Sequence, residues 1–380
     1  MLSFCTVLIS IHTPMNLFSS ELQRYTQDHL SAREAQRQAE FIAWTPVVFQ
    51  VSRLMVKFGV LDLLREAQEG LTIEELQQRT ELSKYALKIL LEASLSIGTI
   101  LISEETDKYS LSKTGWFLLN DPATRVNIDF NHDVNYRGLF FLEDALKSGK
   151  PEGLKTLGNW PTIYEGLSQL DPQVQKSWFA FDHFYSDNSF DEALGIVFAK
   201  HPRRIMDVGG NTGRFALRCV EHDKDVNVAI VDLPGQIRMM LENIKGKEGS
   251  ERIGGYATNI LDDTNTLPVG QWDAIWMSQF LDCFSEDEIY RILCRTHEVM
   301  TERTTLYIME TFWNRQKYEP ASLCLTMTSV YFTVMANGNS KMYHSDDLVS
   351  QIDRAGLEVI ATHDGLGQGH TILEVNLKQQ

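Results

Sequence analysis

The stretch RIMDVGGNTGRFAL, residues 204–217, decides how the chain is read. It begins as an apolar run closed by an acid, passes through glycines, and ends with the spacing of a helix. Glycines at such a strand-to-helix turn let the backbone take positive φ and pass close to a bound group. Asn211 is one of the few other residue types that tolerates that conformation. Taken alone, the stretch also admits a plain tight turn as the lesser reading. The dinucleotide fingerprint G-x-G-x-x-G does not fit, because counting from Gly209 puts Asn211 third and Arg214 sixth. No phosphate-binding lysine follows, which excludes a P-loop. The pattern present is D-x-G-x-N-x-G, running from Asp207 through Gly209, Gly210 and Asn211 to Gly213.

Downstream, strand and helix patterns alternate. NVAIVDL (227–233) reads as a strand and PGQIRMMLENI (234–244) as a helix. RIGGYATNI (252–260) and WDAIWMSQ (272–279) read as strands, and DEIYRILCRTHEVM (287–300) as a helix. TTLYIMET (304–311) is a strand, SDDLVSQIDRAG (345–356) a helix and HTILEVNL (370–377) a last strand. Such alternation predicts a parallel sheet covered by helices on both faces. Asp232 closes the second strand, where a carboxylate takes both ribose hydroxyls of an adenosine ligand; Leu233 follows it. Asn259 and Ile260 end the third strand, a polar and an apolar neighbour suited to adenine.

Upstream the signals are those of short helices. Residues 20–60 read as helix, and Leu61, Leu64 and Ala67 share the next helical face, closed by Gly70. Thr72 with Glu75 forms a capping box. Ser83 caps a helix whose apolar face is Leu87, Leu90, Leu91 and Leu95. ILISEETDKYSLS (100–112) then reads as two short strands joined by a polar turn. Three helices followed by a small wing make a winged-helix pattern. We therefore divide the chain into a winged-helix domain (20–118), a helical linking and pocket region (119–200) and an α/β domain (201–380). The aromatics Trp160, Tyr164, Trp178, Phe179, Phe181 and Phe184 suit an apolar pocket for a planar molecule, or ordinary helix core. His132 and His183 fall in the same region and read as pocket or packing residues, and His370 as structural.

Composition narrows the function classes. The 380 residues exceed one ordinary core. A net charge of −16 opposes nucleic acid and anionic membrane surfaces, so no partner of either kind is expected. No apolar run is long enough to span a bilayer. The opening MLSFCTVLISI has neither a basic segment nor a cleavage site, so no signal peptide is expected, and Met15 is an alternative start to Met1. Five cysteines without CxxC spacing or clustering with histidine read as reduced thiols in a cytoplasmic protein, with no metal site.

With these motifs in place, the chain resembles the class I small-molecule O-methyltransferases of the plant caffeic-acid and bacterial polyketide-tailoring types. The resemblance rests on D-x-G-x-N-x-G with Asp232 and Asn259. It is reinforced upstream by KFGVLDLL, LTIEELQQRT, LLEASLSIG and YSLSKTG, which resemble that family's dimerisation domain. It implies a Rossmann-like domain binding S-adenosylmethionine, preceded by a winged-helix domain that builds a homodimer. It implies that Asp232 binds ribose, that Gly209 contacts the cofactor and that Asn259 and Ile260 flank adenine. Ser278 stands where many plant members carry a lysine near the cofactor.

The resemblance also marks a departure. Where the family writes L-H-D-W-x-D-E, this chain has LDCFSEDE, residues 281–288. Asp282 takes the place of the family's base histidine and Cys283 that of the next aspartate. Glu310 matches the glutamate that orients the base, whereas the second such glutamate is missing, its place falling near Met342. The implied activity is methyl transfer to oxygen on a small, aromatic, hydroxylated acceptor, with Asp282 and Glu310 as the catalytic pair. Two rivals stand beside it: a family member that binds the cofactor without methylating, decarboxylase- or hydroxylase-like, and a cofactor-sensing transcriptional regulator.

Overall fold

Near-continuous buried runs along the central strands from residue 204 onward produce the main feature, a seven-stranded sheet. The computed structural model describes Tyr25, residues 27–262 and residues 264–379. Met1, Met15, Cys5 and the start of the helix expected from residue 20 lie outside the described residues. The chain forms two units, one of Asp28–Tyr136 with Pro172–Phe184, the other chiefly of Arg137–Asp171 with Tyr185–Gln380. The stretch 119–200, expected as one region, is thus shared between them. Among the described residues no helix is long and apolar enough to cross a membrane.

In the first unit, a long helix, Ala32–Lys57, starts at a capping box of Ser31 and Glu34. Within the described residues, the helix expected over 20–60 thus runs from Ala32, where side chains satisfy the free N–H groups of a helix start. Helices Val60–Glu66, Ile73–Arg79 and Lys84–Ile97 follow. The Thr72–Glu75 capping box and the Ser83 cap form as expected. Leu61, Leu64, Leu76, Leu87 and Leu91 close a small core. β1 (Ile100–Ile102) and β2 (Tyr109–Leu111) pair antiparallel as the wing.

In the second unit the strands are β3 (Arg204–Val208), β4 (Asn227–Asp232), β5 (Ile253–Ala257), β6 (Ala274–Ser278), β7 (Thr305–Glu310), β8 (Leu357–Leu366) and β9 (His370–Leu377). Their order is β5-β4-β3-β6-β7-β9-β8. The pairs from β5 to β7 are parallel, whereas β9 runs antiparallel to both β7 and β8. The all-parallel expectation is corrected on that edge. β8 was not read as a strand; it joins β9 through a turn between Leu366 and His370, and so short a connection forces an antiparallel pair.

Successive residues of β6 serve opposite faces. Trp276 packs with Phe215, Tyr307 and Phe190 on one side, Ile275 and Met277 with Leu281 and Leu293 on the other. Phe215, from the helix after the glycine turn, stacks on Trp276 at 4.2 Å between ring centroids. β3 and β6 are neighbours, so the turns after Val208 and Ser278 leave the same edge of the sheet side by side.

Candidate functional site

The turn after β3 takes the expected conformation: Gly209, Asn211 and Gly213 all have positive φ, at 77°, 49° and 77°. The glycines also serve close packing. A Cβ on Gly209 would fall 2.2 Å from the Phe280 ring, and one on Gly210 would fall 2.8 Å from Asp207 Oδ2. The loop is thus folded down on the Asp207 carboxylate, whose Oδ2 is buried without a hydrogen-bond partner among the described residues. Burial first, then the nearby Asp232 charge, push Asp207 up to about 8.

Asp232 ends β4 and ties the two turns together. Its Oδ2 accepts from the Asn211 N–H at 2.8 Å and its Oδ1 from the Leu233 N–H at 2.7 Å. Burial raises it to about 6 although both N–H groups favour its charge. The Gln236 amide donates to Asn211 Oδ1 at 3.1 Å, which fixes the loop from the next helix, Pro234–Ile244. A cavity of about 520 Å³ opens beside this carboxylate, lined by Leu233, Pro234, Gln236, Arg238, Met239 and Tyr164 among others. An ionised carboxylate has about four lone-pair positions, so Asp232 can accept two ribose hydroxyls beyond its backbone donors. The residues present therefore fit an adenosine-bearing group.

Two adjoining expectations are adjusted. β5 stops at Ala257, so Asn259 and Ile260 stand in the turn after the strand rather than at its end. Gly254 and Gly255 make β5 a weak strand, and Asn259 Oδ1 accepts from the Leu261 N–H at 3.0 Å, an Asx turn that ends it. Asn259 is exposed and Ile260 buried. Ser278 is the last residue of β6, paired with Met309.

Asp282 is not at an open loop tip. It lies in a 3-10 turn, Leu281–Cys283, and is 5% exposed. Gln279, in left-handed conformation at φ 45°, starts that turn. Tyr343 Oη donates to the Phe284 carbonyl at 2.6 Å and the Asn337 amide to the Cys283 carbonyl, so the turn is held from the far end of the chain. Ser285 and Glu288 form the capping box of the helix Glu286–Val299 that follows. The acids after Asp282 thus serve the helix start, while Asp282 faces the interior.

Glu310, the last residue of β7, is 3% exposed. Its Oε1 accepts from the Phe280 and Leu281 N–H groups at 3.1 and 2.9 Å, and its Oε2 has no partner among the described residues. The Cys283 thiol donates to Asp282 Oδ1 at 3.5 Å. Burial raises the pKa of both acids, and for Glu310 the Asp282 charge raises it further. Two like charges so close cannot both form, so the pair retains one proton near neutrality. The proton belongs to the pair rather than to either acid alone. A buried carboxylate beside a protonated acid can take a proton from a hydroxyl, a general-base arrangement.

The remaining candidates divide between the units. Tyr164 and Trp160 belong to the unit of this site. His132, His183, Trp178, Phe179 and Phe181 belong to the other, where Phe181 stacks on Phe130 at 4.0 Å. His370 is fully buried, and burial lowers it to about 4, so it stays neutral. The sequence reading missed the hydrogen bonds from Asn337 and Tyr343, which nothing local to them signals.

The O-methyltransferase domain model matches residues 142–356 and the Dimerisation2-like domain model residues 36–109. The chain is 23% identical over 316 residues to demethylspheroidene O-methyltransferase of Rhodobacter capsulatus, over 82% of this chain and 74% of that one. Among solved structures, the S-adenosylmethionine-dependent methyltransferase SibL shares the fold with a TM-score of 0.68 at 19% identity, over 89% of this chain and 98% of that one. NcsB1 is an O-methyltransferase from neocarzinostatin biosynthesis, solved with S-adenosylmethionine and 2-hydroxy-5-methyl naphthoic acid. It gives 0.62 at 19% identity, over 88% and 96%.

Proposed function

The chain belongs to the O-methyltransferase domain family, and from that premise we propose that its acceptor is a small planar phenol whose hydroxyl is deprotonated by Asp282. The chain is an S-adenosylmethionine-dependent O-methyltransferase. The donor supplies a methyl group on a sulfonium, already electrophilic. What the protein must add is alignment and an ionised oxygen. Asp232 would hold the ribose, Gly209 and Gly213 let the chain approach the ligand, Asn259 and Ile260 would flank the adenine, and Leu233 lines the cavity. Asp207, Gly210 and Asn211 shape the loop, and Ser278 lies at the edge where the donor's sulfur would come.

The single observation that carries the catalytic part is the buried Asp282–Glu310 pair. An aspartate in water is a weaker base than histidine by about 2.6 pKa units, or roughly 3.5 kcal/mol. Burial raises Asp282 to about 7, which closes that gap. A base titrating near 7 suits an acidic O–H, hence a phenol or naphthol rather than an alcohol. The naphthoic acid bound by NcsB1 supports an acceptor of that kind. Transfer of labelled methyl from S-adenosylmethionine to a panel of phenols, catechols and hydroxynaphthoates tests this. Transfer to aliphatic alcohols alone would refute the phenol assignment, and no transfer to any acceptor would favour the non-methylating reading.

The protein functions as a homodimer through its N-terminal domain. The match over 36–109 supports this, as do the exposed Phe41, Ile42, Trp44 and Val47 of the helix Ala32–Lys57. Sedimentation of a monomer at micromolar concentration would count against it. The free cysteines Cys219, Cys283, Cys294 and Cys324 support a cytoplasmic setting.

A further inference from the structure

Tyr164 sits on a short helix, Ile163–Gly166, held firmly from both sides. Ile163 and Leu167 are buried, and the Trp160 ring lies flat against the backbone of Gly158 and Gly166, where any side chain would collide with it. The tyrosine ring lines the cavity that begins at Leu233, next to the ribose carboxylate. Its hydroxyl is buried at the other end of that reach, against the Cys283 thiol, and has no hydrogen-bond partner of ordinary geometry among the described residues. Cys283 in turn touches Asp282. One side chain therefore reaches from that cavity to Cys283, the neighbour of Asp282.

An unpaired buried hydroxyl is destabilising, and phenylalanine would fill the same space without that cost. A fixed, costly, unpaired donor aimed at a base is what a site reserved for a ligand atom looks like. We propose that the Tyr164 hydroxyl donates a hydrogen bond to the reacting oxygen of the acceptor, while Asp282 accepts that oxygen's proton. The assignment rests on the O-methyl-transfer reading and names a specificity-determining group within it.

The step balances as follows. The acceptor O–H proton passes to the Asp282 carboxylate, and an oxygen lone pair forms the new carbon–oxygen bond. The carbon–sulfur bond breaks with its electron pair going to sulfur, which leaves a neutral thioether. Asp282 then releases its proton to solvent. Tyr164 keeps its own proton throughout, because burial holds its pKa above the usual phenol value. A donor on the oxygen favours its ionised form. That lets Asp282 deprotonate a less acidic acceptor than it could alone. The consequence is selectivity: the help matters most for the least acidic phenols.

Tyr164→Phe deletes one oxygen and leaves the ring packing intact. The first readout needs no turnover: ionisation of nitrocatechol bound in the presence of S-adenosylhomocysteine, followed by its visible absorbance against pH. The midpoint should rise by about one pH unit in Tyr164→Phe, the size expected for loss of one hydrogen bond to a charged oxygen. The second is turnover across phenols of graded acidity. The variant should lose about tenfold on the weakest acid and little on the strongest, with the KM for S-adenosylmethionine unchanged. Equal losses across the series, an unmoved midpoint, or no binding of nitrocatechol to the wild type would each overturn the assignment. A shifted midpoint in a protein that transfers methyl to nothing would instead keep the contact and sink the proposed function.

Discussion

Replacing Asp207 by asparagine tests the electrostatics of the glycine loop. Asp207 is 2% exposed, and burial together with Asp232 raises its pKa from 3.8 to about 8. The unfolded chain therefore ionises first. Between roughly pH 4 and pH 8 the unfolded state binds fewer protons than the folded one, so stability falls as pH rises through that window. Below it both states are protonated and the penalty vanishes; above it the penalty is complete. Four pH units at about 1.4 kcal/mol each set a ceiling of about 6 kcal/mol. Loop relaxation and water entry relieve most of such a cost, and about 2 kcal/mol is the order observed for unsatisfied buried groups.

Asparagine has the same shape and cannot ionise. Without ligand, Asp207→Asn should match or fall below the wild type at pH 5 and overtake it toward pH 8, with a relative gain of about 2 kcal/mol, or roughly 4–8 °C in melting temperature. Thermal melts followed by tryptophan fluorescence from pH 5 to 8.5 supply the comparison. The readout is the slope, because a misplaced amide would shift the variant equally at every pH. A pH-independent difference between the two proteins, or one that grows toward acid, would refute the reasoning.

Three further outcomes are expected. The proposed ribose contact needs an ionised Asp232, and burial raises its pKa to about 6, so affinity for S-adenosylmethionine should fall by up to about tenfold per unit below pH 6. Calorimetry on Asp232→Asn should find weaker binding with that pH dependence gone. Asp282→Asn should lower turnover at least about tenfold at unchanged cofactor affinity. Because burial lifts the Asp282 pKa, the acid limb of the wild-type rate profile should lie well above the roughly 3.9 of a free aspartate; a limb at that ordinary value would contradict the buried-base account. Trp44→Glu places a charge on a large exposed apolar residue, 61% accessible in the single chain, and should shift sedimentation from dimer to monomer. A dimer as tight as that of the wild type would move the interface elsewhere.

Much of the architecture was legible because its causes are local. The positive φ of Gly209, Asn211 and Gly213 follows from which residues tolerate that conformation, and D-x-G-x-N-x-G announces it. The capping boxes at Thr72 and Ser285 need only a hydroxyl and an acid three residues apart. Asp232 at a strand end and Glu310 at another were placed by apolar runs that stop there. β8 escaped because its burial alternates irregularly around bulges, so its residues carry no clean period of two.

What the site does was decided by tertiary structure. In sequence, Asp282 looks like the first acid of a solvated loop; in the fold it is buried while its neighbours cap a helix. Its pairing with Glu310 exists because β6 and β7 lie side by side, and its turn is held by Asn337 and Tyr343 from beyond the sheet's parallel half. Tyr164 meets Cys283 across more than a hundred residues of chain. Desolvation and charge coupling depend on every group within several ångströms, whatever its position along the chain. A sequence can therefore name the acids, whereas only their packing determines which of them holds a proton and which can take one.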